Sequence, residues 1–223
     1  MGWLSEALGT SIGKKFVMAF TGIGLILFLI IHLVGNLTLY GGPEAFNGYV
    51  ETLDIIKPLI RVIEVGLGLV FVFHIFNGIR LWLENRKVKP VTNKISAKAE
   101  NSSFFSRTMV QTGSIVFIFL VLHLATFWWS FNFTGEGHEN PNGYYNIVVE
   151  WFQIPWYAIF YVIAVILLGF HLNHGFQSAF QTFGWNHNKY FPFIKKFGTA
   201  YALIMALGFA SLPIYFLFFY GGN

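Results

Sequence analysis

The stretch WYAIFYVIAVILLGFHLNHGFQSAFQTF, Trp156 to Phe183, holds no Asp, Glu, Lys or Arg, yet it carries two histidines, His171 and His174. A helix needs about 20 largely apolar residues to cross a bilayer, so this composition predicts a transmembrane helix. An ionisable or polar ring in hydrocarbon is expensive; it faces the interior of a bundle and marks a site. Four other stretches are long and apolar enough to span: Phe16–Leu39, Val62–Leu83, Thr108–Phe133 and Phe197–Tyr220. The first three each contain one histidine, His32, His74 and His123, and the last contains none.

The rest of the composition agrees with a membrane protein. Of 223 residues, 55% are hydrophobic and only 11% are charged, where a soluble domain would have about a quarter. The mean hydropathy is +0.59. The reading is therefore an all-α integral membrane protein over residues 1–223, with helices over about 14–40, 58–85, 107–133, 155–183 and 197–220. The first stretch is too long for a signal-peptide core and is expected to be retained. There is no cysteine, which excludes disulfides, iron–sulfur ligation and c-type haem attachment. The connectors leave no room for a soluble domain, so soluble chemistry is expected from another chain.

Basic residues set the orientation. Lys14 and Lys15 precede the first span, seven Lys and Arg residues from Arg80 to Arg107 surround the second connector, and Lys189, Lys195 and Lys196 lie in the fourth. Only Lys57 and Arg61 lie toward the other side, and the third connector, Asn132–Pro155, has Glu136, Glu139 and Glu150 but no basic residue. The positive-inside rule then places the N-terminus in the cytoplasm and the C-terminus outside. The net charge of +4 is a topology signal, not a nucleic-acid footprint.

At about 1.5 Å per residue, His32 lies about 27 Å along its span from the cytoplasmic end, and His123 about 24 Å. His74 and His171 run in the opposite sense and lie about 18 Å from their cytoplasmic ends. Parallel spans can occupy diagonal corners of an up-down bundle. His32 would then face His123 at an outer level, and His74 would face His171 at an inner one. Zinc or copper sites gather three or four protein ligands, whereas haem brings four nitrogens of its own and needs only two. The spacing therefore favours two b-type haems. His174, one turn beyond His171, is a rival inner ligand or a partner for a propionate. Gly78 and Gly175, each four residues after a histidine, are read as clearing space beside the imidazoles, as Gly35 would beside His32. Close helix packing is the alternative reading of each glycine. Arg80 and the stripe Gln177, Ser178 and Gln181 are candidates for inner propionates, a second quinone or interhelical bonding.

The motifs His32-Leu-Val-Gly-Asn36, His74-Ile-Phe-Asn-Gly78 and His171-Leu-Asn-His-Gly-Phe-Gln-Ser-Ala-Phe-Gln181 resemble the cytochrome b subunits of succinate dehydrogenases and fumarate reductases. The nearest type is the five-span, di-haem membrane anchor of bacteria, and the resemblance covers essentially the whole chain. It implies a location in the bacterial cytoplasmic membrane, with a flavoprotein and an iron–sulfur subunit on the cytoplasmic face. It also implies electron exchange with membrane menaquinone through two haems b, with His74 and His171 on the proximal haem and His32 and His123 on the distal one. A quinone site is implied near the distal haem, beside the first outer connector, Gly41–Lys57, which carries Glu44, Glu51 and Asp54. Glu64, inside the second span with Arg61 a turn before it, is either a proton-exchanging carboxylate or half of an interfacial ion pair. Some relatives carry a glutamate two residues before the fourth haem ligand; here that position is Gly169, and the proton route it serves is not carried over. Two other readings remain open on the residues alone. One is a b-type cytochrome serving another quinone-linked dehydrogenase or hydrogenase. The other is a haem-free transporter with buried histidines, although transporters show inverted repeats rather than rings paired by depth.

Overall fold

The computed structural model describes residues 2, 6, 8–88, 104–135, 137 and 142–221, and among these the regular structure is entirely helical. Lys89, Lys94 and Lys98, together with Glu136, His138 and Glu139, lie outside the described residues. Helix α1 is Ser11–Leu37, α2 Gly42–Ile55, α3 Lys57–Val88, α4 the single turn Phe104–Arg107 and α5 Met109–His123. Helix α6 is Gly143–Phe152, α7 Pro155–Thr182 and α8 Phe191–Phe218. Five helices have the length and apolar character to cross a membrane, as the sequence predicts.

Their ends follow local chemistry. Thr10 caps α1, its side chain accepting the Gly13 N–H at 3.0 Å. Pro155 and Pro192 stand in the first turns of α7 and α8, where no intrahelical donor is lost. Helix α8 starts at Phe191, six residues before the apolar run, because this proline start lets its first turn form outside that run, with Lys195 over the Phe191 ring at 4.9 Å. Gly184, with φ of +84°, turns the chain after α7. Beyond His123 the third span continues as π-helix, Leu124–Trp128 and Ser130–Thr134.

Helix α1 packs against α3 and α7, and α7 packs against α5, so three sides of a four-helix ring are closed. Helices α3 and α5 share no comparable seam. They are tied at one end, where Arg61 Nη2 donates to Asn132 Oδ1 at 2.7 Å and Trp128 Nε1 donates to Glu64 Oε1 at 3.2 Å. Helix α8 lies outside the ring, against α7 and α1, but it is no bystander. Of its apolar segment 44% is buried within the chain, against none of that of α3. The Tyr201 hydroxyl reaches across to donate to the Ile26 carbonyl at 2.8 Å.

The α7–α8 seam is built from small residues. Ala164 is fully buried, Ala158, Ala202 and Ala210 nearly so, and a methyl added at Gly169 would meet Ala206 Cβ at 2.9 Å and the Ala202 carbonyl oxygen at 3.4 Å. Without a hydrophobic drive between helices in lipid, such close approach supplies the attraction. The same contact explains why Gly169 cannot be a larger residue here. Two short helices cap the end remote from Lys14: α2 and α6 pack together, with Asn47 Nδ2 donating to the Asn142 carbonyl at 2.7 Å and Asn47 Oδ1 accepting the Tyr145 N–H at 3.0 Å. The connector Gly41–Lys57 is thus mostly helix.

Gly169→Ala is expected to lower the melting midpoint of the detergent-solubilised protein, overpacking costing about 1–3 kcal/mol. Gly66→Ala, where an added methyl meets nothing within 4 Å, leaves the midpoint unchanged or raises it. Thermal denaturation followed by circular dichroism checks the pair.

Candidate functional site

The four span histidines meet in two pairs across the ring. The His74 and His171 rings, from α3 and α7, have centroids 6.3 Å apart with planes at 67°. Those of His32 and His123, from α1 and α5, are 5.7 Å apart and perpendicular. His32 follows the residue opposite His74, Thr21, by eleven positions, so the two levels are separated by about 16 Å along the bundle. All four rings are half-buried. Among the described residues, no three His, Cys, Asp or Glu side chains gather at one point.

These spacings suit one particular kind of coordination. Two metal–imidazole bonds of roughly 2 Å each, with the bodies of the two rings behind them, put the centroids of opposed ligands roughly 6 Å apart. Both pairs come close to that span, so a flat macrocycle with its metal between the rings fits the donor set.

Each ring is held from its other nitrogen. His74 Nδ1 lies 3.2 Å from Thr21 Oγ1 and His171 Nδ1 lies 3.5 Å from Thr112 Oγ1. His123 Nδ1 lies 3.3 Å from the Tyr161 hydroxyl, and Asn36 Nδ2 approaches His32 Nδ1 at 3.5 Å while donating to the His32 carbonyl at 2.8 Å. Phenylalanines dress the remote pair: Phe28 stacks on His32 at 5.1 Å, and Phe127 and Phe119 lie 5.4 and 5.7 Å from His123. Phe209 of α8 adds a ring 5.7 Å from His32.

The other expected site residues are placed as follows. His174 is half-buried three residues beyond His171, and the ring facing His74 is that of His171. Gly78 and Gly175 do share a helix face with the histidines, but a methyl there would meet Met18 and Met109, at 3.3 and 3.9 Å, and not an imidazole. The glycines that clear the imidazoles belong to the facing helices. A methyl at Gly22 would meet His74 Cε1 at 3.5 Å, and one at Gly113 would meet His171 Cε1 at 3.3 Å. Gly35 faces Tyr49, not His32.

Arg80 Nε donates to Glu84 Oε1 at 3.1 Å, and the same carboxylate takes Lys14 Nζ at 2.7 and 2.9 Å. Lys14 is buried, and its carbonyl accepts from Asn77 Nδ2 at 2.6 Å, so this network closes the basic end of the α1–α3 seam. Gln177 donates to Asn173 Oδ1 within α7 at 2.7 Å, and Thr199 of α8 donates to the same atom at 3.1 Å, so Asn173 bonds α7 to α8 and Gln177 supports it. At the far end Glu64 accepts from Arg61 at 2.7 Å as well as from Trp128. The interfacial pair therefore forms, and it also ties α3 to the π-helical segment. Asp54 pairs with Lys57 at 2.9 Å, and Glu51 is exposed on α2. His187 lies exposed in the turn before α8, Nδ1 accepting the Lys189 N–H at 3.2 Å.

Sequence reasoning missed the two threonines, yet they leave a signal. Met18-Ala-Phe-Thr21-Gly22 and Met109-Val-Gln-Thr112-Gly113 share Met-x-x-Thr-Gly, and each threonine precedes a histidine by eleven residues. Tyr161 left no comparable mark.

The family model of succinate dehydrogenase/fumarate reductase transmembrane subunits matches this chain over residues 16–99 and 83–211. The chain is similar to the succinate dehydrogenase hydrophobic membrane anchor subunit of Halobacterium salinarum, at 35% identity over 97 residues, covering 44% of this chain and 68% of that protein. No solved structure matches.

Removing either partner of the Lys14–Glu84 pair tests the network at the basic end. Glu84→Gln strands a buried ammonium, whereas Lys14→Met removes it, so Glu84→Gln should depress the melting midpoint further. Equal depression by the two variants would contradict that ranking.

Proposed function

The chain belongs to the transmembrane subunits of succinate dehydrogenase and fumarate reductase, and from that premise we propose that it is a di-haem cytochrome b anchor passing electrons between an iron–sulfur partner and membrane menaquinone. The observation that carries the reading is the pair of opposed imidazole couples at two levels of one bundle. The donor set argues the same way, because two rings per level suffice only for a metal that arrives with its own equatorial ligands.

Helices α1, α3, α5 and α7 each contribute one imidazole. His74 and His171 would hold the haem nearer the basic end, and His32 and His123 would hold the other. When bound, the haems would supply one-electron carriers at the two levels. The protein supplies the rest. Buried phenylalanines keep water from the remote rings, the hydroxyls at Nδ1 orient three of the four imidazoles, and Gly22 and Gly113 leave room for the inner ones. Arg80 and Lys14, with their shared carboxylate, place positive charge beside the inner level, where propionates would be met.

Quinone reduction takes up protons as well as electrons. Of the carboxylates toward the far end, Glu44, Glu51 and Asp54 stand on α2 and Glu150 on α6. Glu64 alone projects between α3 and the π-helical segment, with Arg61 and Trp128 fixing both oxygens. Glu64 is the carboxylate assigned to exchange protons with the quinone headgroup.

The basic end would face the cytoplasm of a bacterium, by the positive-inside rule. It presents Arg86 over Trp82 at 5.0 Å and Lys189 over Tyr190 at 5.4 Å, and there the flavoprotein and iron–sulfur subunits would dock.

Pyridine haemochrome analysis of the complex purified from its membrane should give two haems b per chain. His171→Ala should remove one, and His174→Ala should keep both with low-spin spectra. Zero haem in the wild type would overturn the reading, and the converse mutant result would move the ligand assignment to His174. Glu64→Gln should leave both spectra unchanged and cut menaquinone-dependent turnover by at least tenfold. Unchanged turnover would remove Glu64 from the proton path.

A further inference from the structure

Among the described residues, Thr21 and Thr112 are the buried threonines, 8% and 4% exposed, and a hydroxyl so placed must find its partners inside the protein. Each has one hydrogen, and each spends it locally. Thr21 Oγ1 donates to the carbonyls of Val17 at 2.8 Å and Met18 at 3.1 Å. Thr112 Oγ1 donates to those of Thr108 at 3.0 Å and Met109 at 3.1 Å. With the hydrogen committed to the helix backbone, either oxygen can only accept from the imidazole beside it. The proton of His74 and of His171 then belongs on Nδ1, and the Nε2 lone pair is left bare.

We propose that Thr21 and Thr112 are positioning residues that lock His74 and His171 in the Nδ1–H tautomer and raise the donor strength of Nε2. The assignment rests on the di-haem reading above. Two facts beyond the contacts themselves support it. The hydroxyls occupy equivalent places in α1 and α5, each followed by the glycine that admits the imidazole of the next helix. Their spacing to His32 and His123 is also the same, eleven residues, so one local design serves both faces of the inner level. An acceptor on the outer nitrogen makes an imidazole a more basic ligand and favours the oxidised metal. Acting on both axial ligands of one centre, the two threonines bias it in the same direction.

The test is a potentiometric titration, followed by difference spectra, of membranes carrying the assembled complex. Thr21→Val and Thr112→Val keep the shape and remove the acceptor; Thr→Ser at each position keeps the acceptor. Each valine variant should raise the midpoint of one haem, shifting its oxidised-to-reduced ratio at fixed potential by threefold or more, roughly 30 mV for a one-electron couple. The second haem should stay unchanged, and the serine variants should restore the wild-type value. Midpoints that match wild type in both valine variants overturn the proposal. Where valine expels the haem, retention in the serine variant supports it, and loss from the serine variant as well overturns it by assigning the site to the threonine methyl. A wild-type chain without haem would instead sink the di-haem reading, so the two failures are distinguishable.

Discussion

A neutral imidazole in a hydrocarbon slab has to meet another polar group, and that requirement organises the bundle. Four such rings on four helices are satisfied by meeting in twos across the interior, and each ring is then held from behind by a polar group of a neighbouring turn or helix. The diagonal placement of the four helices and the level of each pair accord with this. The remaining apolar surface is far less demanding, since lipid tails serve it as well as protein does.

The closed and open sides of the ring divide the labour. Helices α7 and α8 form a tight, small-residue slab, and Tyr201 and Leu33 lock α1 onto it. Helix α3 leans on α1 alone for most of its length. It is tied by Lys14 and Asn77 at one end, and to the π-helical segment by Arg61 and Glu64 at the other. The rigid slab positions His171. His74 stands on a helix with little other support, and the contacts that locate it come from α1, where Gly22 and Thr21 lie against its ring and Met18 against Gly78.

The span count and the meeting of His32 with His123 and His74 with His171 are legible in the residues, because hydropathy and helical rise are properties of a single line of residues. What required three dimensions was read less well. Same-helix geometry points to Gly78 and Gly175 beside the imidazoles but cannot reveal Gly22 and Gly113, which lie against the His74 and His171 rings from the neighbouring helices. The Lys14–Glu84–Arg80 cluster joins residues seventy positions apart, a pairing that charge patterning along one chain segment cannot reveal. The helical character of the first outer connector and the deep burial of α8 likewise depend on partners: α6 for the one, the α7 seam for the other. The threonines sat in a repeated motif that was present in the residues but has meaning only once each is seen beside the next helix's ring.

Each level takes one ring from the α1–α3 half and one from the α5–α7 half, so neither half owns a binding centre. A chain severed between these halves would yield two fragments, each with one ring of both pairs and neither pair complete. Reassembly would regenerate the two centres together, never singly. On the proposed di-haem reading, cofactor loading would be tied to the association of the halves, and a misfolded half would leave neither pair able to hold its group.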